Sequence, residues 1–210
     1  MQRAEQSPPE RSPLGRRERK KARIRREILE AGLALIRDRG YHAATLNDIV
    51  EEVDISLGTF FRYFPSKDAL LREGVREMFT EFHQVLNAPA DPSEPLGQRL
   101  ERAIAGLGRA VVKDKELARA VMASGVWATW INPPAPGDEV LPGVYPTIQA
   151  FTTAARESSF RTDLEPQHIA QLIWGAAVVV IAQWVTRDAP YDLERRLRQS
   201  IRALLRGISR

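Results

Sequence analysis

The sequence predicts an all-α protein, and two observations carry the prediction. Apolar residues recur at helical spacing through most of the 210 residues, and strand signals are weak, since the β-branched cluster Val178-Val179-Val180-Ile181 sits inside a longer helical register. Proline-rich stretches and capping residues punctuate the periodic segments.

The segment Thr45 to Leu71 is the most informative. Thr45 is an N-cap type, and Leu46, Ile49, Val50 and Val53 follow on one face of a two-turn helix. Asp54-Ile55-Ser56 interrupts that pattern: Asp tolerates a left-handed backbone, and Ser56 can cap a second helix. In that second helix the spacing predicts Phe60, Phe61 and Phe64 on the buried face. Leu57, Gly58, Thr59 and Arg62 fall on the other side, small or able to hydrogen-bond, as a face entering a major groove requires. Pro65 ends the helix, and Ser66-Lys67-Asp68 opens a third whose backbone N–H groups, with the Lys67 ammonium beside them, suit a phosphate. The expected roles are base reading by Leu57, Gly58, Thr59 and Arg62, of which only Arg62 suits bidentate guanine recognition. Thr45, Ser56, Tyr63 and Lys67 are expected to anchor phosphates.

Charge placement supports a polyanionic partner more than net charge does. The chain carries only +4, yet nine Lys/Arg stand against one Glu between Arg11 and Arg26, leaving the remainder acidic by four. Arg16, Arg17, Arg19 and Lys20 form a basic arm ahead of the helices; contact with a groove or phosphates and a disordered solvated tail are both open readings.

On these residues the stretch from about Arg17 to Met78 resembles the DNA-binding domain of the TetR-type transcriptional regulators. The matching marks are Ile28 to Gly40 as a first helix with its glycine stop, Thr45 before Ile49, Ser56-Leu57-Gly58-Thr59-Phe60-Phe61, Tyr63-Phe64, and Ser66-Lys67-Asp68-Ala69-Leu70. Two positions depart from the family pattern: Asp54 replaces the usual turn glycine, and Phe61 replaces the usual tyrosine, so any phosphate contact by that hydroxyl is lost. The resemblance implies an effector pocket behind the DNA-binding unit and a homodimer built on the last two helices.

Further along, helices are expected from Lys67 to about Asn87, from Leu96 to Val112, from Glu116 to Ile131, from Thr147 to Ser158, from Pro166 to Arg187 and from Asp192 to Ile208. Residues 88–95 form a proline-rich linker and residues 132–138 a loop. The organisation read from this is a disordered tail over 1–15, a helix-turn-helix unit over 16–72, and an effector-binding and dimerisation bundle over 73–210. Large apolar side chains converge in the bundle as an expected pocket: Met78, Phe79, Phe82, His83, Met122, Val126, Trp127, Trp130, Tyr145, Phe151 and Trp174. The helix from Pro166 carries an apolar stripe too broad for one buried side, and the last helix a leucine stripe with arginines around it. Ile173, Ala177, Ile181, Trp184, Leu197, Ile201 and Leu204 are the expected dimer contacts.

Other functions find little support. With no cysteine there is no disulfide framework or thiolate metal site, and His42, His83 and His168 lack metal-ligand spacing. No catalytic constellation, metal site or cofactor motif is present, and a helical enzyme or scaffold is the remote alternative. The opening residues lack a secretory apolar core, and the apolar run Ile173 to Val185 is shorter than the ~20 residues that span a bilayer. The expectation is a cytoplasmic, dimeric regulator that binds double-stranded operator DNA and, as a ligand-responsive repressor, releases it on binding a small apolar or aromatic effector. Activation, or regulation without a ligand, is the narrower alternative.

Overall fold

A computed structural model describes residues 15–88, 94–127, 163–187 and 190–208, and every regular element in these residues is helical. The first four helices are α1 (Arg16–Arg39), α2 (Leu46–Glu52), α3 (Leu57–Tyr63) and α4 (Lys67–Val75). Each short helix starts where its capping residue dictates. Thr45 and Asp48 form a reciprocal capping box at α2: the Asp48 N–H donates to Thr45 Oγ1 at 3.1 Å, and the Thr45 N–H donates to Asp48 Oδ2 at 2.8 Å. Ser56 Oγ accepts the Thr59 N–H at 3.1 Å, and Ser66 Oγ accepts the Ala69 N–H at 3.1 Å. Asp54 adopts φ +51, the left-handed turn expected of it. Ile28 and Ile36 of α1, Ile49 of α2, Phe60 of α3 with Phe64 just past its end, and Leu70 of α4 close the core of this unit. Gly32 suits that closure, since a Cβ there would stand 2.7 Å from Leu70 Cδ1 and the leucine would have to shift.

The helix expected over 67–87 is broken once. A 3-10 turn over Arg76–Phe79 separates α4 from α5 (Thr80–Asn87) and leaves Val75, Met78, Phe79 and Phe82 buried together. Next come α6 (Leu96–Lys113) and α7 (Lys115–Ser124), joined by Asp114, whose Oδ1 accepts the Leu117 N–H at 3.1 Å. The helix expected to reach Ile131 stops at Ser124, because Gly125 takes φ +75, the left-handed C-terminal stop. The closing pair is α8 (Pro166–Arg187) and α9 (Leu193–Ile208), the latter started by Asp192, which accepts the Arg195 N–H at 2.9 Å. The tail over 1–14, the loop over 132–138 and the helix expected over 147–158 lie outside the described residues.

Helix α6 is the hub of the bundle, packing against α5 and α9, while α8 lies against α9 and α7. Helices α1 and α4 both meet α7, and α4 is shared between the two units. Its Leu70 packs beside Gly32, whereas its Val75 lines a cavity of the bundle, so residues 72 and 73 fall inside a helix common to both. Over His168–Arg187, α8 is long and apolar enough to cross a bilayer, which the shorter run from Ile173 did not indicate. Ile169, Ile173, Ala177, Ile181 and Val185 along it are buried in the protein core.

Candidate nucleic-acid interface

The outward side of α3 is formed by Leu57, Gly58, Phe61 and Arg62, at i, i+1, i+4 and i+5 of one short helix. Leu57 is 40% exposed and Phe61 49% exposed. The placement of Phe61 corrects the expected buried trio. Phe60 and Phe64, one turn apart, fill the core, and Phe61 lies about 100° further round, at the surface. Thr59 is half-buried, and its hydroxyl lies 3.0 Å from Ser56 Oγ and 3.4 Å from Arg62 Nη2, which orients it along the helix rather than outward.

Arg25 of α1 holds the far end of α3. Its Nη1 donates to the Tyr63 carbonyl at 2.5 Å, its Nε donates to Glu73 Oε1 at 3.2 Å, and the guanidinium lies 4.4 Å from the centre of the Phe64 ring. One planar cation thereby joins α1, α3 and α4. The sequence reading missed Arg25, because nothing local distinguishes it from the arginines beside it.

The expected phosphate anchors divide. Ser56 is exposed at the start of α3, and Tyr63 is half-buried at its end. The Thr45 hydroxyl is committed to the capping box, donating to Asp48 Oδ2 at 2.6 Å. The hydrogen bonds from Thr45 hold the Asp48 carboxyl below its usual range, with a smaller contribution from Arg39. Lys67 turns inward, against the expectation of a phosphate contact: Nζ donates to the Tyr41 and Ala44 carbonyls at 2.6 and 2.8 Å and lies 4.2 Å from the Tyr41 ring centre. Burial lowers its pKa, and two of its three donors are spent on the α1–α2 loop. The Tyr41 hydroxyl donates to Asp68, and burial followed by that acceptor raises its pKa. Arg16, Arg17, Arg19 and Lys20 are exposed on the first turns of α1, so the basic arm is a helical extension, with the Arg19 N–H donating to the Gly15 carbonyl at 3.1 Å.

Behind this unit, Met78, Phe79, Met122 and Trp174 border an apolar cavity of ≈ 20 Å³, room for one water molecule. Val75, Leu107, Val111, Ala118, Val121, Val178 and Ile181 complete its wall; the α6 members were legible as a helical stripe but were not assigned to it. Phe82 and Trp174 border a second apolar space of the same size with Leu86, Leu100, Ile104 and Ile173. The Trp174 ring stands 6.1 Å from Phe79 and 5.8 Å from Phe82. His83 lies against Phe79 and Phe82, and burial lowers its pKa. Val126 is buried, and Trp127 is half-buried with Nε1 donating to the Met122 carbonyl at 3.1 Å. Trp130, Tyr145 and Phe151 lie outside the described residues.

The expected dimer contacts are largely interior. Ile173, Ala177, Ile181, Leu197 and Ile201 are buried within the protomer, facing its own helices. Trp184 is half-buried; its Nε1 donates to the Tyr191 carbonyl at 3.1 Å, and Lys115 Nζ lies 4.7 Å from its ring centre. Leu204 is half-buried. The outward apolar residues of α8 are instead Leu172, 37% exposed, and Val179, 55% exposed. The expected stripe was read from an apolar helix without knowing which side its own bundle would take.

Comparison with known proteins agrees with this architecture. The tetR family of bacterial regulatory proteins matches residues 28–73. The transcriptional repressor KstR of Mycolicibacterium smegmatis is 30% identical over 186 residues, covering 86% of this chain and 86% of its own length. The crystal structure of Thermus thermophilus FadR, a TetR-family transcriptional repressor in complex with lauroyl-CoA, aligns with a TM-score of 0.68 at 20% identity, covering 87% of this chain and 94% of FadR. FadR of Bacillus subtilis in complex with stearoyl-CoA aligns at 0.59 with 18% identity, covering 87% and 98%. An N-capped helix displayed on a three-helix unit, joined to a helical bundle, is thus the architecture of a DNA-binding regulator, and the chain belongs to the TetR family of transcriptional regulators.

Proposed function

We propose that the protein is a homodimeric repressor that inserts one α3 from each protomer into successive major grooves of an operator and releases the DNA when an apolar effector enters the bundle. The observation that carries this reading is the solvent-facing row Leu57, Gly58, Phe61 and Arg62 on a helix fixed at both ends by Ser56 and Arg25. Residues 16–72 are the DNA-binding unit and 73–210 the effector and dimer unit, acting in the cytoplasm where the operator lies. Arg62 reads a base, Ser56 and Tyr63 hold phosphates, and Arg16, Arg17, Arg19 and Lys20 extend the phosphate contact along α1. Leu172 and Val179 meet their counterparts across the dimer axis.

The effector site is the apolar space around Phe79, Phe82, Met122 and Trp174. At ≈ 20 Å³ it must widen to admit a ligand, so a bound ligand repositions α7 against α1 and α4. The acyl-CoA complexes of the two FadR structures make long-chain acyl thioesters the first class to test. Sequencing the DNA fragments retained by the purified dimer tests operator recognition, and random fragments would sink it. Fluorescence anisotropy on the recovered operator, titrated with lauroyl-CoA and then a panel of apolar aromatics, tests release. An operator affinity unmoved by every ligand would leave a DNA-binding regulator without a switch.

A further inference from the structure

Leu57 and Phe61 are two of the five large apolar side chains that stand exposed among the described residues, and both lie on the outward face of α3. One turn apart, they form an apolar strip with Gly58 and Arg62 beside them. Phenylalanine at 61 carries no hydroxyl, so it cannot donate to a phosphate, and leucine offers no polar group at all. Base edges in the major groove present donors and acceptors, with one apolar exception, the C5-methyl of thymine. Gly58 points the same way. A Cβ there would meet only Ser56 Oγ, at 3.9 Å, so packing within the protein does not require glycine; its absence lets the helix backbone approach a partner closely.

We propose that Leu57 and Phe61 are specificity-determining residues that read thymine C5-methyl groups in each operator half-site, leaving Arg62 as the polar reader. The proposal rests on the operator binding proposed above and adds which base is selected and by what chemistry. One helical turn advances about 5.4 Å along α3 and one base step about 3.4 Å, so the two thymines lie within roughly two base pairs of each other.

The test uses the full-length protein and the operator recovered from retained fragments. Each thymine in a half-site is replaced in turn by deoxyuridine, which removes the methyl group and leaves every hydrogen bond in place, and affinity is read by fluorescence anisotropy. About a fourfold loss is expected at one or two positions per half-site, the size set by burying one methyl group. Phe61→Ala is expected to bind the thymine and deoxyuridine duplexes equally at one of those positions, Leu57→Ala at another, and Phe61→Leu to keep the preference. Both side chains are exposed, so these variants should melt like the parent. A specific operator that tolerates deoxyuridine everywhere would overturn the proposal while leaving operator binding intact, as would alanine variants that keep the full preference. Retention of random DNA would overturn both together.

Discussion

Arg37, in the last turn of α1, donates from both Nε and Nη2 to a single oxygen of Asp114, at 3.0 and 2.7 Å, while the other Asp114 oxygen accepts the Leu117 N–H. One carboxylate therefore caps α7 and ties the bundle to the end of the first helix of the DNA-binding unit. Arg37→Ala removes the tie alone. Its partly exposed ion pair is expected to contribute no more than about 1 kcal/mol, whereas Asp114→Ala also removes the cap and is expected to cost about 1 kcal/mol more. Both variants should weaken the coupling between effector and operator, read as the factor by which ligand changes operator affinity and operator changes ligand affinity. Unchanged coupling in both would show that the contact only stabilises.

Arg25 is expected to matter for its shape as well as its charge. Arg25→Lys keeps the charge but cannot reach Tyr63 and Glu73 while lying on Phe64, so it is expected to lose about 1 kcal/mol, and Arg25→Ala about 1–2 kcal/mol, in urea melts. Operator affinity should fall in the same order. A lysine variant equal to the parent in both measurements would reduce Arg25 to a surface cation.

Gly58→Ala separates folding from recognition. A Cβ fits there without a clash, and alanine favours a helix over glycine, so thermal stability should stay level or rise by up to about 1 kcal/mol while operator affinity falls. Equal or better operator binding would mean that nothing approaches that backbone.

Acid should loosen the aromatic cluster through His83. Burial lowers its pKa, so the unfolded chain binds the proton more readily, and the stability held by the neutral ring above about pH 6.5 declines as pH falls below that value. Asp48, whose pKa is also lowered, acts in a separate window, below the usual carboxylate range near 3.8. Urea melts at pH 7.5 and 5.5 should therefore differ more for the parent than for His83→Gln. His42 and His168 are exposed, and an identical difference in the variant would assign the effect elsewhere.

The two sides of α8 should respond differently to charge. Val179→Arg places a cation on the outward side and is expected to yield a folded monomer in analytical ultracentrifugation with weakened operator binding. Ala177→Arg buries the cation in the protomer and is expected to unfold it. A Val179→Arg dimer that binds operator as well as the parent would move the interface away from this face.

The helix-turn-helix was legible because its signals are local. Thr45, Ser56 and Ser66 each bond an N–H three residues on, and Asp54 alone sets the left-handed turn, so a few consecutive residues define each boundary. The early end of α7 was missed although its signal was equally local, since a glycine inside an apolar pattern reads as helix until its φ is known. Lys67 was misread for the opposite reason. A lysine at a helix start suggests a surface charge, and only the loop folded over it supplies the Tyr41 and Ala44 carbonyls that turn it inward.

From the order of residues alone came the helical class, the capped recognition helix, the basic charge ahead of it and the long apolar α8; that the basic arm is the first turns of α1 came from the structure. The helices among these follow from capping and periodicity over one or two turns. Tertiary structure decided which way those helices face. Phe60, Phe61 and Phe64 are equally apolar in sequence, yet α1, α2 and α4 build a wall on one side only, so two rings are buried and Phe61 is left outside. On α8, apolar nearly all round, the rest of the bundle takes Ile173, Ala177 and Ile181 and leaves Leu172 and Val179 outward. Periodicity fixes the angles between side chains on a helix, but the rotation of that helix is set by the partners that exclude water from one side of it.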